Sequence, residues 1–305
     1  MTDPGGRGFV MAALLSEVGA RGQPPRASER VPPQAGLSGM ESESAARHAS
    51  SRFPGKPLAP LRGPDGEKSL LRRSWEAAAA AAAALPGGAA VHVLTDDERV
   101  AGHARGFGAS VLMTGADCAN GTERCADALR RHGGVLGGAD LLVNLQGDAP
   151  LTPPWFVSAL ADAMARDARA AVATPVLRCD ATAYRHFRED RRAGRVGGTT
   201  AVFGRDGRAL YFSKEVIPFL PPEREDTGFG DVFHHVGLYA YRPDALARYA
   251  ALPPGPLEGH EGLEQLRFLE HGIAVRCVEV EARGRVFWEL NNPADVARIE
   301  EVLNA

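Results

Sequence analysis

The chain has 305 residues, a formal net charge of -3, 44% hydrophobic residues and 24% charged residues. This length allows one large α/β domain or two small ones, and the composition is ordinary for a globular protein in water. The slightly acidic balance argues against general nucleic-acid binding, and no apolar run approaches the roughly 18 residues that span a membrane.

The N-terminal 44 residues are predicted to be a disordered leader or an over-extended start, because residues 1–40 are rich in Gly, Pro, Arg and Ser without sustained periodicity. The apolar segment 9-FVMAALL-15 resembles a short signal peptide, but Glu17 follows it closely, so a signal peptide is not favoured. Because 36-GLSGMESESA-45 is polar and acidic, we expect residues 1–45 not to supply a well-packed central strand.

From residue 68 the sequence alternates between helical and strand-like patterns. Helices are predicted at 68–88, 98–108, 122–133, 262–272 and 293–303. Strands are predicted at 89–97, 109–114, 139–148, 170–177, 199–203, 208–212, 234–242 and 273–280. The first three strands are apolar throughout, which favours a parallel sheet covered on both faces. The predicted fold is therefore α/β, with a mixed, mostly parallel Rossmann-like sheet and helices on both faces.

Ligands of such sheets bind beyond the carboxyl ends of the strands. That rule places residues 95–97, 114–124 and 146–148 along one cleft. Asp148 directly follows an apolar strand, where nucleotide enzymes commonly hold a divalent cation; the alternative is a turn or helix-capping Asp. Asn120 to Arg124 form a strand-to-helix junction, in which Thr122 is well placed to cap the helix; a plain helix cap is the alternative.

A second candidate is a turn that carries three cations. Arg47, Arg52 and Lys56 are spaced so that one loop could point them at a polyphosphate, with Ser50 and Ser51 donating hydroxyls. Basic loops are more often solvated surface, which is the alternative. Near the C-terminus, residues 291–293 read either as oxygen ligands or as a turn. The sequence contains no Walker loop, HExxH helix or Ser/His/Asp arrangement.

The four cysteines have no CxxC pair and no spacing typical of metal ligands. They are predicted to be small buried residues in a reducing compartment, so the expected location is cytoplasmic.

Taken in order, the candidate motifs resemble those of the CMP-Kdo synthetases, cytidylyltransferases that activate 3-deoxy-manno-octulosonate. The resemblance runs from about residue 45 to 305 and is carried by 46-ARHASSRFPGKPL-58, 121-GTER-124, 143-VNLQGDAP-150, 209-ALYFSKEVIP-218, 235-HVGLYAYR-242 and 256-PLEGHEGLEQLR-267. It implies one nucleotidyltransferase domain over 45–305, of the nucleotide-diphospho-sugar transferase fold. Its nucleotide-binding part would cover about 45–160, and its acceptor-binding and dimer part about 161–290.

The resemblance also implies the substrates, the cofactor and the roles of individual residues. CTP and an acidic acceptor would be the substrates, Mg²⁺ the cofactor and a homodimer the assembly, with no nucleic-acid or membrane partner. Arg47, Arg52 and Lys56 would hold the triphosphate, and Asp148 and Asn291 the metal. The remaining expected contacts are Ser50, Gly121, Thr122, Arg124 and Gln146 for the nucleotide, and Tyr211, Ser213, Lys214, His235, Glu264 and Gln265 for the acceptor.

Four departures from the family pattern concern the active site. The hydrophobic strand expected before Arg47 is replaced by polar residues, and the acidic residue expected after Asp148 is Ala149. The second metal-binding Asp falls at Asn291, and a strand that normally carries a lysine becomes 197-GGTTAVF-203. The leading hypothesis is a CTP-dependent cytidylyltransferase that acts on Kdo or a related acid in lipopolysaccharide biosynthesis. The alternatives are a phosphonate or other specialised acceptor, or a catalytically inactive paralogue that binds nucleotide.

Overall fold

A computed structural model describes residues 9–14, 53, 55–196, 198–225 and 227–305 of the chain. Its strands are β1 (Phe9–Leu14), β2 (Pro60–Gly63), β3 (Gly66–Ser69), β4 (Ala90–Thr95), β5 (Ser110–Met113), β6 (Leu141–Gln146), β7 (Val172–Arg178), β8 (Thr199–Phe203), β9 (Ala209–Ser213), β10 (Phe233–His235), β11 (Leu238–Tyr241) and β12 (Val275–Val280).

The α-helices are α1 (Leu70–Ala83), α2 (Glu98–Gly106), α3 (Gly121–Arg131), α4 (Gly133–Leu136), α5 (Pro154–Arg166), α6 (Ala181–Arg192), α7 (Pro243–Ala251), α8 (Pro256–Glu261), α9 (Leu266–Glu270) and α10 (Asp295–Asn304). Short 3₁₀ helices lie at Lys56–Leu58, Pro222–Arg224 and Phe229–Asp231. In the described ranges, every helix is too short or too polar to cross a lipid bilayer.

One ten-stranded sheet forms the centre of the fold, in the order β5-β4-β1-β6-β11-β7-β10-β8-β9, with β12 paired to β7. The pairings of β1 with β4 and β6, of β4 with β5 and of β7 with β12 are parallel. The other five pairings described within this sheet are antiparallel, and β2 and β3 form a separate antiparallel pair. The predicted mixed α/β fold is confirmed, but the prediction of a mostly parallel sheet is not.

Helices cover the two faces of the sheet and enclose two main clusters of buried residues. One cluster joins the sheet to α3, α7 and α9, through residues such as Cys125, Leu246 and Phe268. The other joins the opposite face to α1 and α5, through residues such as Ala81 and Leu160. All four cysteines are free and buried, as their spacing predicted.

The strand β1 corrects the prediction that residues 1–45 supply no central strand. Phe9–Leu14 pairs in parallel with β4 on one side and with β6 on the other, in the middle of the parallel half of the sheet. The physical reason is composition, because a central parallel strand has to be apolar throughout and FVMAAL satisfies this where residues 36–45 do not. Residues 1–8 and 15–52 lie outside the described part of the chain, and the domain division at residue 44 stays a prediction.

Two predicted elements are each divided in the structure. The predicted strand 234–242 is split into β10 and β11, since β10 pairs with β8 on its outer side whereas β11 pairs with β6. Gly237 lies at the switch between these neighbours. The predicted helix 262–272 is wrong at its start, because Gly262 has a left-handed backbone (φ 61°) that ends α8 before α9 begins.

The placement of β1 predicts a different cost for two substitutions at Ala12. Proline should lower the free energy of unfolding by about 3 kcal/mol or more, because it removes a backbone N–H from a strand that is paired on both sides. Glycine keeps that N–H and should cost only about 1 kcal/mol. Urea unfolding of Ala12→Pro and Ala12→Gly measures both; equal costs would contradict a central position for β1.

Candidate active site

Strand β6 is the element around which the predicted site residues assemble. Asn144 and Gln146 are two residues apart on this strand, so both point to the same face of the sheet. Leu142, on the same face, packs in the cluster that includes α3. Asp148 lies two residues beyond the end of the strand. The apolar residues of β6 thus fix three polar side chains in a row at the carboxyl edge of the sheet.

Asp148 joins two distant parts of the chain. Its Oδ2 accepts a hydrogen bond of 2.7 Å from Lys56 Nζ, and the side chains of both residues are largely shielded from solvent. Lys56 Nζ also donates to the carbonyl oxygen of Leu290 at 3.1 Å, and the N–H of Leu290 donates to the Asp148 carbonyl at 2.8 Å. The predicted triphosphate lysine and the predicted metal carboxylate are therefore in direct contact.

Glu289 brings a second carboxylate to this position. Burial and the neighbouring charge of Asp148 raise its pKa to about 7, although Lys56 and the Gly237 N–H oppose the shift. Asn291, the predicted second metal ligand, is hydrogen-bonded to the Glu289 side chain. The N–H of Asn291 donates to Asp295 Oδ2 at 3.0 Å, which holds the segment in place.

The start of α3 lies beside the carboxylate of Glu264. The N–H of Thr122 donates to Glu264 Oε2 at 2.8 Å, while the Thr122 hydroxyl pairs with the hydroxyl of Tyr241. The prediction that Thr122 caps the helix is wrong, because the side chain of Asn120 accepts the capping hydrogen bond from the N–H of Glu123. Asn120 reaches the exposed N–H three residues on, which leaves Thr122 inside the first turn.

Two polar side chains leave little room for a side chain at Gly121. A Cβ at this position would lie 3.0 Å from Asn144 Nδ2 and 3.5 Å from Glu264 Oε1. Burial raises the pKa of Glu264 to about 7. Asn144 is completely buried, and neither its Oδ1 nor its Nδ2 has a partner in the protein.

Arg124 lies at the carboxyl ends of β4 and β5. It is almost completely buried, and its guanidinium bonds to Asp96 Oδ1 at 3.0 Å and to the hydroxyl of Thr114. This contact confirms that the residues after these two strands meet in one place, as the rule for parallel sheets predicted.

His235, Tyr239 and Gln265 form a buried layer next to β6. His235 Nε2 pairs with Thr174 Oγ1 at 2.9 Å, and its ring packs against Phe212 and Tyr239. Burial, with the adjacent His234, lowers the pKa of His235 to about 3, so the imidazole is neutral at physiological pH. The Tyr239 hydroxyl donates to Gln265 Oε1 at 3.0 Å, which leaves the Gln265 Nε2 without a partner in the protein.

Glu261 organises the three residues predicted to flank the acceptor pocket. Its carboxylate accepts hydrogen bonds from the Ser213 hydroxyl at 2.6 Å, the Lys214 N–H at 2.8 Å and the Tyr211 hydroxyl at 3.3 Å. The end of α8 thereby fixes the end of β9. Sequence reasoning missed this role, although Glu261 lies inside the quoted motif 256–267.

The polar atoms without a protein partner are concentrated in this region. Ten buried side-chain nitrogen or oxygen atoms in the described residues lack such a partner, and six of them belong to Arg124, Asn144, Asp148, Glu264 and Gln265. Each such atom costs about 1–3 kcal/mol unless a ligand or water satisfies it. The set mixes donors and acceptors, which suits a ligand rich in hydroxyl groups.

The predicted site residues thus fall into three groups. Lys56, Asp148 and Asn291 meet at the end of β6. The structure places Gly121, Thr122, Arg124, Gln146, His235, Glu264 and Gln265 along β6 and its neighbours, and Tyr211, Ser213 and Lys214 around Glu261. Arg47, Ser50 and Arg52 lie outside the described residues. Asn144, Glu261 and Glu289 were not predicted, and only the first two lie within a quoted motif.

A divalent cation fits the end of β6. Asp148 Oδ1 is buried and has no partner in the protein, so it is available as an oxygen ligand. The described residues hold no group of three or more His, Cys, Asp or Glu side chains placed to bind a metal ion. Mg²⁺ does not require such a group, because it is commonly held by one or two carboxylates together with substrate phosphates and water.

Comparison with known proteins identifies the family. The sequence profile described as "Cytidylyltransferase" matches residues 45–279. The chain belongs to the cytidylyltransferase family. This cytidylyltransferase is 42% identical over 260 residues to the 3-deoxy-manno-octulosonate cytidylyltransferase of Maricaulis maris (strain MCS10), covering 85% of this chain and 95% of the relative.

Two further similarities concern the acceptor and the fold. The chain is 40% identical over 231 residues to the 8-amino-3,8-dideoxy-manno-octulosonate cytidylyltransferase of Shewanella halifaxensis (strain HAW-EB4), covering 76% of this chain and 86% of the relative. A solved CMP:2-keto-3-deoxy-manno-octonic acid synthetase complexed with CTP superposes with a TM-score of 0.69 at 28% identity. That superposition covers 97% of this chain and 98% of the other.

The environment of Glu264 predicts a pH-dependent stability. Its pKa is about 7 in the folded protein against an ordinary value of 4.5, so the folded state holds this proton more tightly. The corresponding stability, up to about 3 kcal/mol, is present below pH 4.5 and is lost as the pH rises through 7. Glu264→Gln cannot ionise, so we expect it to gain stability relative to the wild type between pH 5 and pH 8.

Urea unfolding at both pH values measures the difference in the free energy of unfolding. Glu301→Gln, which removes an exposed carboxylate from α10, is the control and should follow the wild type. If the Glu264→Gln and wild-type proteins show the same pH dependence, the carboxylate of Glu264 is not desolvated as described.

Proposed function

We propose that this cytidylyltransferase transfers CMP from CTP to the anomeric hydroxyl of a Kdo-like sugar acid and releases pyrophosphate. The observation that carries the proposal is the row of buried donors and acceptors without protein partners beside β6, ending at the Lys56–Asp148 pair. The names of the Maricaulis and Shewanella relatives point to the same chemistry.

The nucleotide would bind along the carboxyl edge of the parallel half of the sheet. Lys56 supplies positive charge there, and we propose that Arg47, Arg52 and Ser50 join it around the triphosphate. The start of α3, from Gly121 to Arg124, together with Gln146, would position the cytidine. Because Arg124 is already bonded to Asp96, it would act as a fixed wall and not as a mobile clamp.

The acceptor would bind against Glu264 and the buried side chains of Gln265 and His235. The unpartnered Glu264 Oε1 can accept a hydrogen bond from a sugar hydroxyl, and the unpartnered Gln265 Nε2 can donate one. The segment from Tyr211 to Lys214 would form the opposite wall. Its lysine adds positive charge that suits the carboxylate of a sugar acid.

The reaction is an in-line displacement at phosphorus. The acceptor hydroxyl oxygen forms a bond to the α-phosphorus of CTP, the bond from that phosphorus to the bridging β-oxygen breaks, and the hydroxyl proton is lost to solvent. Such a transfer depends on positioning and on neutralising phosphate charge, so no side chain has to form a covalent intermediate. Lys56 and the proposed arginines would hold the leaving pyrophosphate.

We propose Mg²⁺ as the cofactor, held by the buried Oδ1 of Asp148 with Asn291 nearby. When bound, a divalent cation neutralises phosphate charge and favours ionisation of the attacking hydroxyl. The contribution of the chain is to hold Asp148 at the end of β6, where its backbone carbonyl accepts the N–H of Leu290.

The proposed setting of the enzyme is a cytoplasmic homodimer in lipopolysaccharide biosynthesis. The four free, buried cysteines suit a reducing compartment. Leu210 and Phe219 are exposed apolar side chains on the acceptor-binding part, where a second subunit could cover them. We also propose that residues 45–305 form a single catalytic domain to which β1 contributes from the preceding segment.

The assay for this function is pyrophosphate release by the purified protein with Mg²⁺ and CTP. We expect release with Kdo or 8-amino-Kdo and none with phosphonates. Asp148→Ala should reduce kcat/KM by roughly 100-fold, in the range found when one group that stabilises the transition state is lost. Asp162→Ala removes an exposed carboxylate from α5 and should retain activity.

Three results would change the proposal. Release only with phosphonates would favour the specialised acceptor that the sequence also allows. Binding of CTP without release from any acceptor would indicate an inactive paralogue. Full activity of Asp148→Ala would remove Asp148 from the site.

Glu261 is expected to act on the acceptor and not on the nucleotide. Glu261→Gln weakens the contacts that fix Ser213, Lys214 and Tyr211, so the KM for the sugar acid should rise by roughly tenfold. The KM for CTP should change little, because these residues line the opposite wall. Steady-state kinetics with each substrate varied in turn measures the two constants; an equal rise in both would contradict the assignment.

A further inference from the structure

Asn291 leaves the predicted metal site one negative charge short. Its amide offers an oxygen ligand but no charge, and the residues that follow it do not replace the charge at this position. Asp295 accepts the N–H groups of Asn291 and Asn292 with the same Oδ2, and its Oδ1 accepts from the indole of Trp288. Both oxygens of Asp295 are therefore occupied in holding the backbone and the neighbouring ring.

Glu289 lies where a replacement carboxylate is needed. It precedes Leu290, whose N–H and carbonyl oxygen are bonded to Asp148 and Lys56, so its backbone is fixed beside the end of β6. The side chains of Glu289 and Asn291 are hydrogen-bonded to each other, so both lie on the same side of the chain. Leu290 between them points the other way, into a buried cluster with Leu70 and Ile299.

The position of Gly237 shows how closely Glu289 approaches β6. A Cβ at Gly237 would lie 3.0 Å from Glu289 Oε1 and 2.7 Å from Gln146 Oε1. Both oxygens therefore converge on one glycine at the site where β10 gives way to β11. A side chain at position 237 would have to displace the end of Gln146 or of Glu289.

The charge balance of this cluster favours a divalent cation. Asp148 and Glu289 carry two carboxylates, and Lys56 is bonded to one oxygen of Asp148. The other oxygen of Asp148 is buried without a partner in the protein. When Lys56 turns to the phosphates of CTP, two carboxylates remain close together, and a divalent cation matches their combined charge.

We infer that Glu289 is the second carboxylate ligand of the divalent cation, opposite Asp148, and that Asn291 positions it. The inference rests on the proposed CTP- and metal-dependent function. It assigns the missing charge to a residue two positions before the expected one. The end of β6 then offers two carboxylates, the number that Mg²⁺ commonly uses beside substrate phosphates.

Calorimetric titration of CTP, once with Mg²⁺ and once with EDTA, tests this role in Glu289→Gln. With Mg²⁺ the variant should bind CTP about tenfold more weakly than the wild type, because a cation ligand is lost. With EDTA it should bind CTP equally or more tightly, because one negative charge no longer repels the triphosphate. A merely structural role would weaken binding in both conditions, and that result would overturn the inference.

A second change provides a rescue. Glu289→Gln combined with Asn291→Asp returns the carboxylate to the neighbouring position, so the Mg²⁺-dependent gain in CTP affinity should reappear. Glu301→Gln changes the net charge by the same amount on the exposed side of α10 and should behave as the wild type in both buffers. Failure of the double variant to recover any Mg²⁺ dependence would count against Glu289 as a ligand.

A titration with Mn²⁺ alone separates this inference from the proposed function. Binding is measured as the loss of the EPR signal of the free ion. If the wild type binds no CTP, the proposed function fails, and the Mn²⁺ titration still decides on Glu289. Weaker Mn²⁺ binding by Glu289→Gln, by about tenfold, supports the assignment. Equal Mn²⁺ affinity in both proteins, or no binding by the wild type, overturns it.

Discussion

The ion pair between Lys56 and Asp148 is the contact on which the organisation of the site depends. It ties the loop before β2 to the end of β6, and the same lysine reaches the carbonyl oxygen of Leu290 near the C-terminus. Three segments that are far apart in sequence therefore meet at one partly buried cation. Breaking such a pair from one side leaves an uncompensated charge, which costs more than the pair itself contributes. The geometry of the site is thus coupled to the stability of the fold.

The same edge of the sheet contains buried polar groups that lower the stability of the fold. Asn144 is fully buried with neither end of its amide bonded to protein, and the carboxylate of Glu264 is held in surroundings that disfavour its charge. A fold selected for stability alone would replace such groups with apolar side chains. Their concentration around β6, while the opposite face packs Leu141, Val143 and Leu145 into an apolar cluster, indicates that the polar row is kept for a ligand.

The sequence predicted an element correctly where a single local pattern, such as an apolar run, specifies a strand. Apolar runs predicted β4, β5 and β6, and the polar residues at their ends predicted one cleft along residues 95–97, 114–124 and 146–148, within which Arg124 contacts Asp96. The first strand was missed because FVMAAL is separated from the cationic turn by more than thirty residues, and local patterns do not show which strand a sheet will accept. The break at Gly237 was missed although a glycine inside a strand pattern can mark such a site, because the glycine alone does not show that the neighbouring strand changes there. Glu261 contacts the end of β9, and Glu289 lies beside Gly237 and Asp148, all distant in sequence, so only the folded chain brings them together.

Gly121 and Gly237 have a consequence for attempts to alter which acids this enzyme accepts. At both positions the space that a methyl group would fill is already occupied, by Asn144 and Glu264 in one case and by Gln146 and Glu289 in the other. A side chain at either position would have to displace these groups, so substitutions there would disturb the polar atoms proposed to bind the ligands. The wall from Tyr211 to Lys214 is built of side chains gathered by a single carboxylate, so it is the part of the pocket that can be redesigned.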